Sequence, residues 1–145
     1  QLPWLAVILV ILFLFWFFLG HMIFALFLGL TPRTNVHTST EVYFSGNGLK
    51  MLGFGTVIGA GFASLTFALS VLGMPMFLDR DVDFVTAMIT SFKAVSAQPV
   101  IYLIWGIFIG IITLAAMIPA FLGLYVALPI LGHATWHLYK QATAP

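Results

Sequence analysis

The chain has 145 residues, of which 62% are hydrophobic and 6% are charged, and its formal net charge is +1. Soluble domains carry roughly a quarter of their residues as charges, so this composition excludes that class and indicates a multi-pass membrane protein. The low net charge gives no basic surface for nucleic acid, and the absence of cysteine excludes disulfides, thiolate catalysis and cysteine-bound metals.

The first predicted span covers residues 4–30, an uncharged run long enough to cross a bilayer. Its aromatic residues surround the helix axis, which favours lipid contact over a groove for a pigment or quinone. His21 is the only ionisable side chain in this span. We expect it to be neutral and bonded to a neighbouring helix, because a cation is costly in hydrocarbon. Cofactor binding by His21, as an axial ligand to a haem or chlorin, is the alternative.

The second predicted span covers residues 49–77 and follows a segment, residues 31–48, whose Pro, Asn, Ser, Thr and Gly content predicts an aqueous loop. Gly55 and Gly59 form a GxxxG pattern in this span. Small residues at that spacing let two helices approach closely in lipid. Both glycines are therefore predicted to lie against another helix.

A charged connector separates the second and third spans. Hydrophobic residues recur at helical spacing over residues 82–97, which predicts an amphipathic helix that lies on the membrane surface. It is too short and too polar to cross a bilayer. Asp81 or Asp83 is placed to cap it, and Pro99 is expected to end it.

The connector opens with three acids and one arginine, Asp79, Arg80, Asp81 and Asp83. A calcium loop would need a glycine and a closing glutamate at fixed positions, and both are missing. We expect Asp79, Arg80 and Asp81 to hold the helix ends in register, which is a structural role.

The 46 residues from 94 to 139 carry no charge. One straight helix of that length would measure ~69 Å, over twice the ~30 Å hydrocarbon core, so the chain has to turn back. The turn is predicted around Pro119, which gives a third span at residues 100–118 and a fourth at 121–139. Pro129 predicts a kink in the fourth span.

Two patterns mark these last spans. Gly106 and Gly110 form a second GxxxG, which predicts helix packing. His133 and His137 are four residues apart and share a helix face, a spacing that can hold a metal. Two ligands do not complete a metal site, so we expect both, with Trp136, to anchor the helix at the membrane interface.

The charges and aromatic residues also predict an orientation. Hairpin closure would place four aromatic side chains at one interface: Tyr102, Trp105, Trp136 and Tyr139. With four spans, three basic residues lie on one side (Arg80, Lys93, Lys140) and two on the other (Arg33, Lys50). The positive-inside rule then places the connector, residues 78–99, and the C-terminus in the cytoplasm.

Three segments carry a resemblance: MPMFLDRDVD at 74–83, VTAMITS at 85–91 and LPILGHATWHLY at 128–139. They closely resemble a family of bacterial integral membrane proteins defined as a domain of unknown function, some of whose members are labelled cytochrome c oxidase subunit I. The resemblance implies six helices, with the N-terminus and the interfacial helices in the cytoplasm. This chain is similar to the C-terminal two thirds of the family, so we expect a fragment that lacks the first helical pair.

The predicted fold class is an all-α transmembrane bundle, one domain over residues 1–145, with four spans and an interfacial helix between spans two and three. No nucleophile and base pair, HExxH or Walker motif occurs, so an enzyme is not expected. The predicted function is a non-catalytic accessory or scaffold subunit of a respiratory or photosynthetic complex in the bacterial inner membrane. Its expected partners are the lipid bilayer and other membrane subunits, with no cofactor. A small-solute transporter or channel and a cofactor- or pigment-binding protein are the alternatives.

Overall fold

The computed structural model describes residues 2–29 and 41–144, and within these ranges the chain forms helices and turns without a β-strand. In chain order the helices are α1 (Leu2–Leu28), α2 (Gly46–Ser70), α3 (Gly73–Asp79), α4 (Phe84–Ala97), α5 (Pro99–Met117) and α6 (Leu124–Ala142). The all-α fold class is confirmed for the described residues. Of the predicted loop, residues 31–40 lie outside the described residues, and the remainder holds a helical turn at 41–43 and the start of α2.

Among the described residues, three segments are long and apolar enough to cross a membrane: Pro3–Leu28, Gly46–Asp79 and Pro99–Met117. They match the first three predicted spans in place. The fourth predicted span coincides with α6, which carries two histidines, Lys140 and Gln141 in its C-terminal half and is less apolar than the other three.

The second predicted span is divided in the structure by a turn at Val71 and Leu72, between α2 and α3. Pro75 explains this turn, because proline has no N–H and its ring would clash with the carbonyl of Val71 in a continuous helix. After the turn the chain lies against α4, where a Cβ on Gly73 would make an ordinary van der Waals contact of 3.5 Å with the Ala87 carbonyl oxygen. The prediction of one uninterrupted helix over residues 49–77 is therefore wrong.

The chain separates into two compact units, and each is described by itself. The N-terminal unit is residues 6–66. The C-terminal unit is residues 1–5 and 67–145. Its core holds six buried residues from the turn at 71–72 and from α3, α4, α5 and α6: Val71, Leu72, Met76, Ala87, Tyr102 and Tyr139.

A tight turn at residues 118–123 joins α5 to α6 and confirms the predicted break around Pro119. Ala120 and Phe121 adopt left-handed backbone angles, with φ of 49° and 66°. The ends of the two helices approach so closely that a Cβ on Gly123 would lie 2.7 Å from the Ala116 carbonyl oxygen. After the turn, α6 continues as one helix through Pro129.

Hairpin closure brings the four predicted aromatic residues to one end of α5 and α6. Tyr102 and Tyr139 are buried in the core of the C-terminal unit, and Trp105 and Trp136 pack against that core. The two tyrosines therefore stabilise the hairpin from inside the unit.

The glycine patterns do not produce the expected backbone contacts between helices. A Cβ on Gly55 or on Gly110 would have no heavy atom of the described residues within 4 Å, so those two predictions were wrong. Gly59 contacts a side chain, with the Trp16 indole nitrogen 3.3 Å from a Cβ placed there, and Gly106 faces the Phe67 ring at 3.5 Å. At Gly59 and Gly106 an aromatic ring, and not a second backbone, lies opposite the glycine.

Candidate functional site

A cavity of about 850 Å³ lies between α1 and α2 in the N-terminal unit. Aromatic side chains of α1, including Trp16 and Phe17, form one wall. Small residues of α2, including Gly55, Gly59 and Ala63, form the other. The cavity exists because the rings of one helix face the glycines of the other and keep the two backbones apart.

Ring contacts flank this cavity on both sides along the helices. The rings of Phe15 and Phe62 are 6.3 Å apart, and those of Phe27 and Phe54 are 6.0 Å apart. Aromatic pairs at 4.5–7 Å are favourable and tolerate several ring orientations. They hold α1 and α2 at a spacing at which the glycine surface of α2 stays open.

His21 is the titratable side chain on the cavity wall. Its Nδ1 lies 3.0 Å from the Phe17 carbonyl oxygen, and its ring is 4.4 Å from the Phe17 ring. The expected bond to a neighbouring helix is therefore wrong, since the partner is a carbonyl one turn earlier in α1. A carbonyl only accepts, so Nδ1 is the donor in this bond, and in the neutral ring expected from the sequence Nε2 then keeps a lone pair.

The chemistry of the cavity follows from this lining. Thr56 is the other polar side chain on the wall, and its hydroxyl donates to the Leu52 carbonyl oxygen at 2.7 Å. The remaining wall is apolar. Such a cavity can hold a lipid-soluble molecule and offer it hydrogen bonds at the His21 ring and at the Thr56 hydroxyl oxygen.

A polar cluster joins the end of α3 to the end of α6 in the C-terminal unit. The Tyr139 hydroxyl donates to one carboxylate oxygen of Asp79 at 2.8 Å, and the Lys140 ammonium donates to the other. The same ammonium lies 5.0 Å from the centre of the Trp136 ring, a cation–π distance. Asp79 thus contacts two consecutive residues of α6, and Tyr139, Lys140 and Trp136 were not predicted to meet it.

The other charged residues of the connector have more local roles. The Arg80 side chain is 52% exposed and lies 3.8 Å from Asp79, its neighbour in the chain. Asp81 is exposed and has no hydrogen bond or ion pair within the described ranges. Of the three residues expected to hold the helix ends in register, only Asp79 reaches another helix.

Asp83 caps α4 by accepting a hydrogen bond from the backbone N–H of Thr86 at 2.9 Å. Hydrogen bonding from the Thr86 side chain, followed by that from the Thr86 backbone, holds the pKa of Asp83 below its usual range. At its other end α4 stops at Ala97, and Pro99 begins α5. Asp83 and not Asp81 is therefore the cap, and Pro99 acts as predicted.

Ser91 joins α4 to the turn at 71–72, and no sequence pattern singled it out. Its hydroxyl donates to the Ala68 carbonyl oxygen at 2.7 Å and accepts from the Leu72 N–H at 3.1 Å. Ala68 and Leu72 are the two residues that an unbroken helix would bond directly, so the hydroxyl replaces that bond. Ser91 is fully buried. Gly73 and Pro75 are the sequence signals that could have indicated the turn, which was not predicted, and no signal pointed to Ser91 as its partner.

His133 and His137 lie on the exposed surface of α6 in direct contact. Their Nε2 atoms are 3.1 Å apart and their ring centres are 4.7 Å apart. Among residues 2–29 and 41–144, no group of three or more His, Cys, Asp and Glu residues is arranged to hold a metal ion. The pair shares α6 with Trp136 and Lys140, and its anchoring at a membrane interface stays a prediction.

Comparison with known proteins places the chain in one family. The family sequence profile matches residues 1–79, which include α1, α2 and α3. Of the three resembling segments, only Met74–Asp79 falls inside the match, so neither the similarity to the C-terminal two thirds of the family nor the oxidase label is supported. No curated protein and no solved structure matches the chain. The chain belongs to the family described as "Predicted integral membrane protein (DUF2189)".

Proposed function

We propose that this protein is a non-catalytic accessory or scaffold subunit of a larger complex in the bacterial inner membrane. The observation that supports it is the way the C-terminal unit uses its polar groups. Ser91, Asp79 and Asp83 all bond within the fold, where they hold or cap helices. The outer faces of α1 and α5, by contrast, present large apolar side chains, with Phe18 71% and Leu114 67% exposed. Such surfaces suit lipid and neighbouring membrane subunits.

The proposal is tested by purification in mild detergent at the native expression level, followed by mass measurement of the intact particle. We expect a stoichiometric membrane partner. Phe18→Ala, which changes an exposed ring of α1, should reduce the yield of the complex without lowering the thermal midpoint of the isolated protein. A particle that contains only this chain, from cells that express it normally, would contradict the proposal.

The proposed topology has four spans, with α4 on the membrane surface and with residues 78–99 and the C-terminus in the cytoplasm. The return of α5 through the tight turn into α6 supports it, and so does the position of Lys93 in the connector and of Lys140 at the end of α6. Since the chain has no cysteine, a single introduced cysteine is its only thiol, and labelling of that thiol shows on which side of the membrane the residue lies.

Labelling with a membrane-impermeant maleimide tests this topology. Lys50→Cys should react in intact spheroplasts, whereas Lys93→Cys and Gln141→Cys should react only after permeabilisation. Reaction of the cysteines at 93 and 141 on opposite sides would show that the hairpin does not cross the membrane twice.

The cavity supports a second candidate function, the binding of a lipid-soluble cofactor or pigment. Its volume of about 850 Å³ lies within the usual range for ligand sites, and His21 gives it one polar group. An absorption spectrum and a lipid extract of the purified protein test for a bound molecule. Gly55→Leu should expel it by filling the cavity, whereas Gly53→Leu, an open position of α2 outside the lining, should not. A molecule retained equally by both variants would place it elsewhere.

A further inference from the structure

The histidine pair of α6 has a geometry that goes beyond an interfacial anchor. His133 and His137 are one turn apart on the same helix face, and both side chains are exposed. Their Nε2 atoms approach to 3.1 Å, with the ring planes at 83°. The helix therefore presents two imidazole nitrogens side by side at an accessible surface.

Two nitrogens at this distance match the requirement of a chelated metal ion. Imidazole nitrogen binds such ions at ~2.0–2.1 Å, so an ion equidistant from the two Nε2 atoms would subtend an angle of roughly 100° between them. That angle lies between the ideal values for square-planar and tetrahedral coordination. In the metal-free pair one Nε2 carries a proton that it donates to the other. Metal binding requires that proton to move to Nδ1 of the same ring, so that both Nε2 lone pairs can bind the ion.

We propose that His133 and His137 form a two-nitrogen site for a divalent transition-metal ion. Imidazole ligands suit Cu²⁺, Ni²⁺ and Zn²⁺, and Cu²⁺ binds most tightly in the general order of affinity. Because the described residues add no third His, Asp or Glu to the pair, water fills the remaining positions. The positive charge of the nearby Lys140 is compensated by its ion pair with Asp79, which reduces its repulsion of a metal ion. This inference is independent of the accessory role proposed above.

The test is a Cu²⁺ titration of the full chain in detergent without an affinity tag, followed by calorimetry and by electron paramagnetic resonance. The wild type should bind one ion with a spectrum that shows two nitrogen ligands. In the double variant His137→Gln/Gln141→His the composition is unchanged, but the two histidines are eight residues apart and cannot chelate one ion. We expect its affinity to fall at least about tenfold, because the second ligand no longer acts at high effective concentration.

The matched control is His21→Gln, which removes another exposed histidine and should leave the affinity and the spectrum unchanged. The far-ultraviolet circular dichroism of each variant checks that α6 is intact. Equal affinities of the wild type and the exchanged variant would overturn the proposal and assign the bound ion to separate single histidines. A wild type that binds no Cu²⁺ would overturn it as well.

Discussion

Different kinds of contact stabilise the interior of each of the two units. In the C-terminal unit, Ser91 bonds the turn at 71–72 to α4, and Asp79 bonds α3 to Tyr139 and Lys140 of α6. In the N-terminal unit, the described contacts between α1 and α2 are ring pairs and the approach of Trp16 to Gly59. Hydrogen bonds demand particular atoms at particular distances, whereas ring contacts accept a range of positions.

This difference explains where the cavity is found. In the C-terminal unit, Gly73 lies against α4, which Ser91 bonds to the turn at 71–72, and the tight turn brings Gly123 against the Ala116 backbone. Helices joined by rings stay apart by the width of the rings, and Gly55 of the N-terminal unit remains open. Substitutions in the C-terminal unit should therefore cost more than comparable substitutions in the N-terminal unit.

The largest effect is expected for Ser91→Ala. The substitution leaves the Leu72 N–H and the Ala68 carbonyl without their buried partner, and each unsatisfied group costs about 1–3 kcal/mol. Thermal unfolding in detergent measures the loss. Ser96→Ala, at an exposed position of the same helix, is the control and should have little effect. Equal midpoints for the two variants would mean that the Ser91 hydroxyl does not hold the turn.

The next effect is expected for Gly123→Ala, because the new methyl would lie 2.7 Å from the Ala116 carbonyl oxygen and 2.8 Å from its Cα. Backbone atoms cannot move aside as a flexible side chain does, so overpacking should cost about 1–3 kcal/mol. Gly110→Ala, an open position of α5, serves as the control. The fraction of monodisperse protein after size-exclusion chromatography is the measurement. If the two variants behave alike, the turn is looser than the structure shows.

A smaller effect is expected for Tyr139→Phe, which removes one hydrogen bond to Asp79 and leaves the bond from Lys140 in place. Arg80→Ala should cost less still, since the Arg80 side chain is exposed and lies 3.8 Å from Asp79. Thermal midpoints at low and high salt separate the two, because salt screens exposed ion pairs more than the tyrosine bond. A larger loss from Arg80→Ala would restore the arginine to the structural role expected from the sequence.

The cap of α4 should make stability depend on pH at the acid end. The pKa of Asp83 is lowered in the folded state, so its contribution is complete above the ordinary value of 3.8 and is lost as the pH falls through the folded value. Asp83→Asn should flatten the fall of the thermal midpoint below pH 4. Asp81→Asn, which changes a nearby acid that does not cap α4, should leave this fall of the thermal midpoint unchanged. The reverse pattern would make Asp81 the cap.

The smallest effects are expected in the N-terminal unit. A methyl at Gly59 would meet the Trp16 indole at 3.3 Å, a contact that a small movement of the side chain relieves, while a methyl at Gly55 meets nothing. Gly59→Ala and Gly55→Ala should therefore stay within about 1 kcal/mol of the wild type in thermal unfolding. A loss as large as that of Ser91→Ala would show that the unit is more tightly packed than its ring contacts suggest.

The sequence predicts much of the helix pattern and few of the hydrogen bonds that join one helix to another. The helices and the break near Pro119 follow from the uncharged runs and from proline, which act within one segment. The contacts Ser91 to Ala68 and Asp79 to Tyr139 join residues 23 and 60 positions apart, and no local spacing reveals such pairs. Gly55 and Gly59 show the same limit, because the GxxxG pattern describes one helix and the aromatic residues opposite it decide the distance. Likewise, the spacing of His133 and His137 indicates a shared face, but only the structure shows the nitrogens in contact.

The turn between α5 and α6 has a consequence for biogenesis. Its backbone N–H groups bond inside the turn, those of Ala120, Phe121 and Leu122 to the carbonyls of Ile118, Met117 and Pro119. No side chain between residues 94 and 139 carries a formal charge that would have to be moved through hydrocarbon. Unpaired backbone groups and charges are the main costs of translocating a loop. In the proposed four-span topology, this hairpin would enter the bilayer with the turn leading and without moving a formally charged side chain through hydrocarbon.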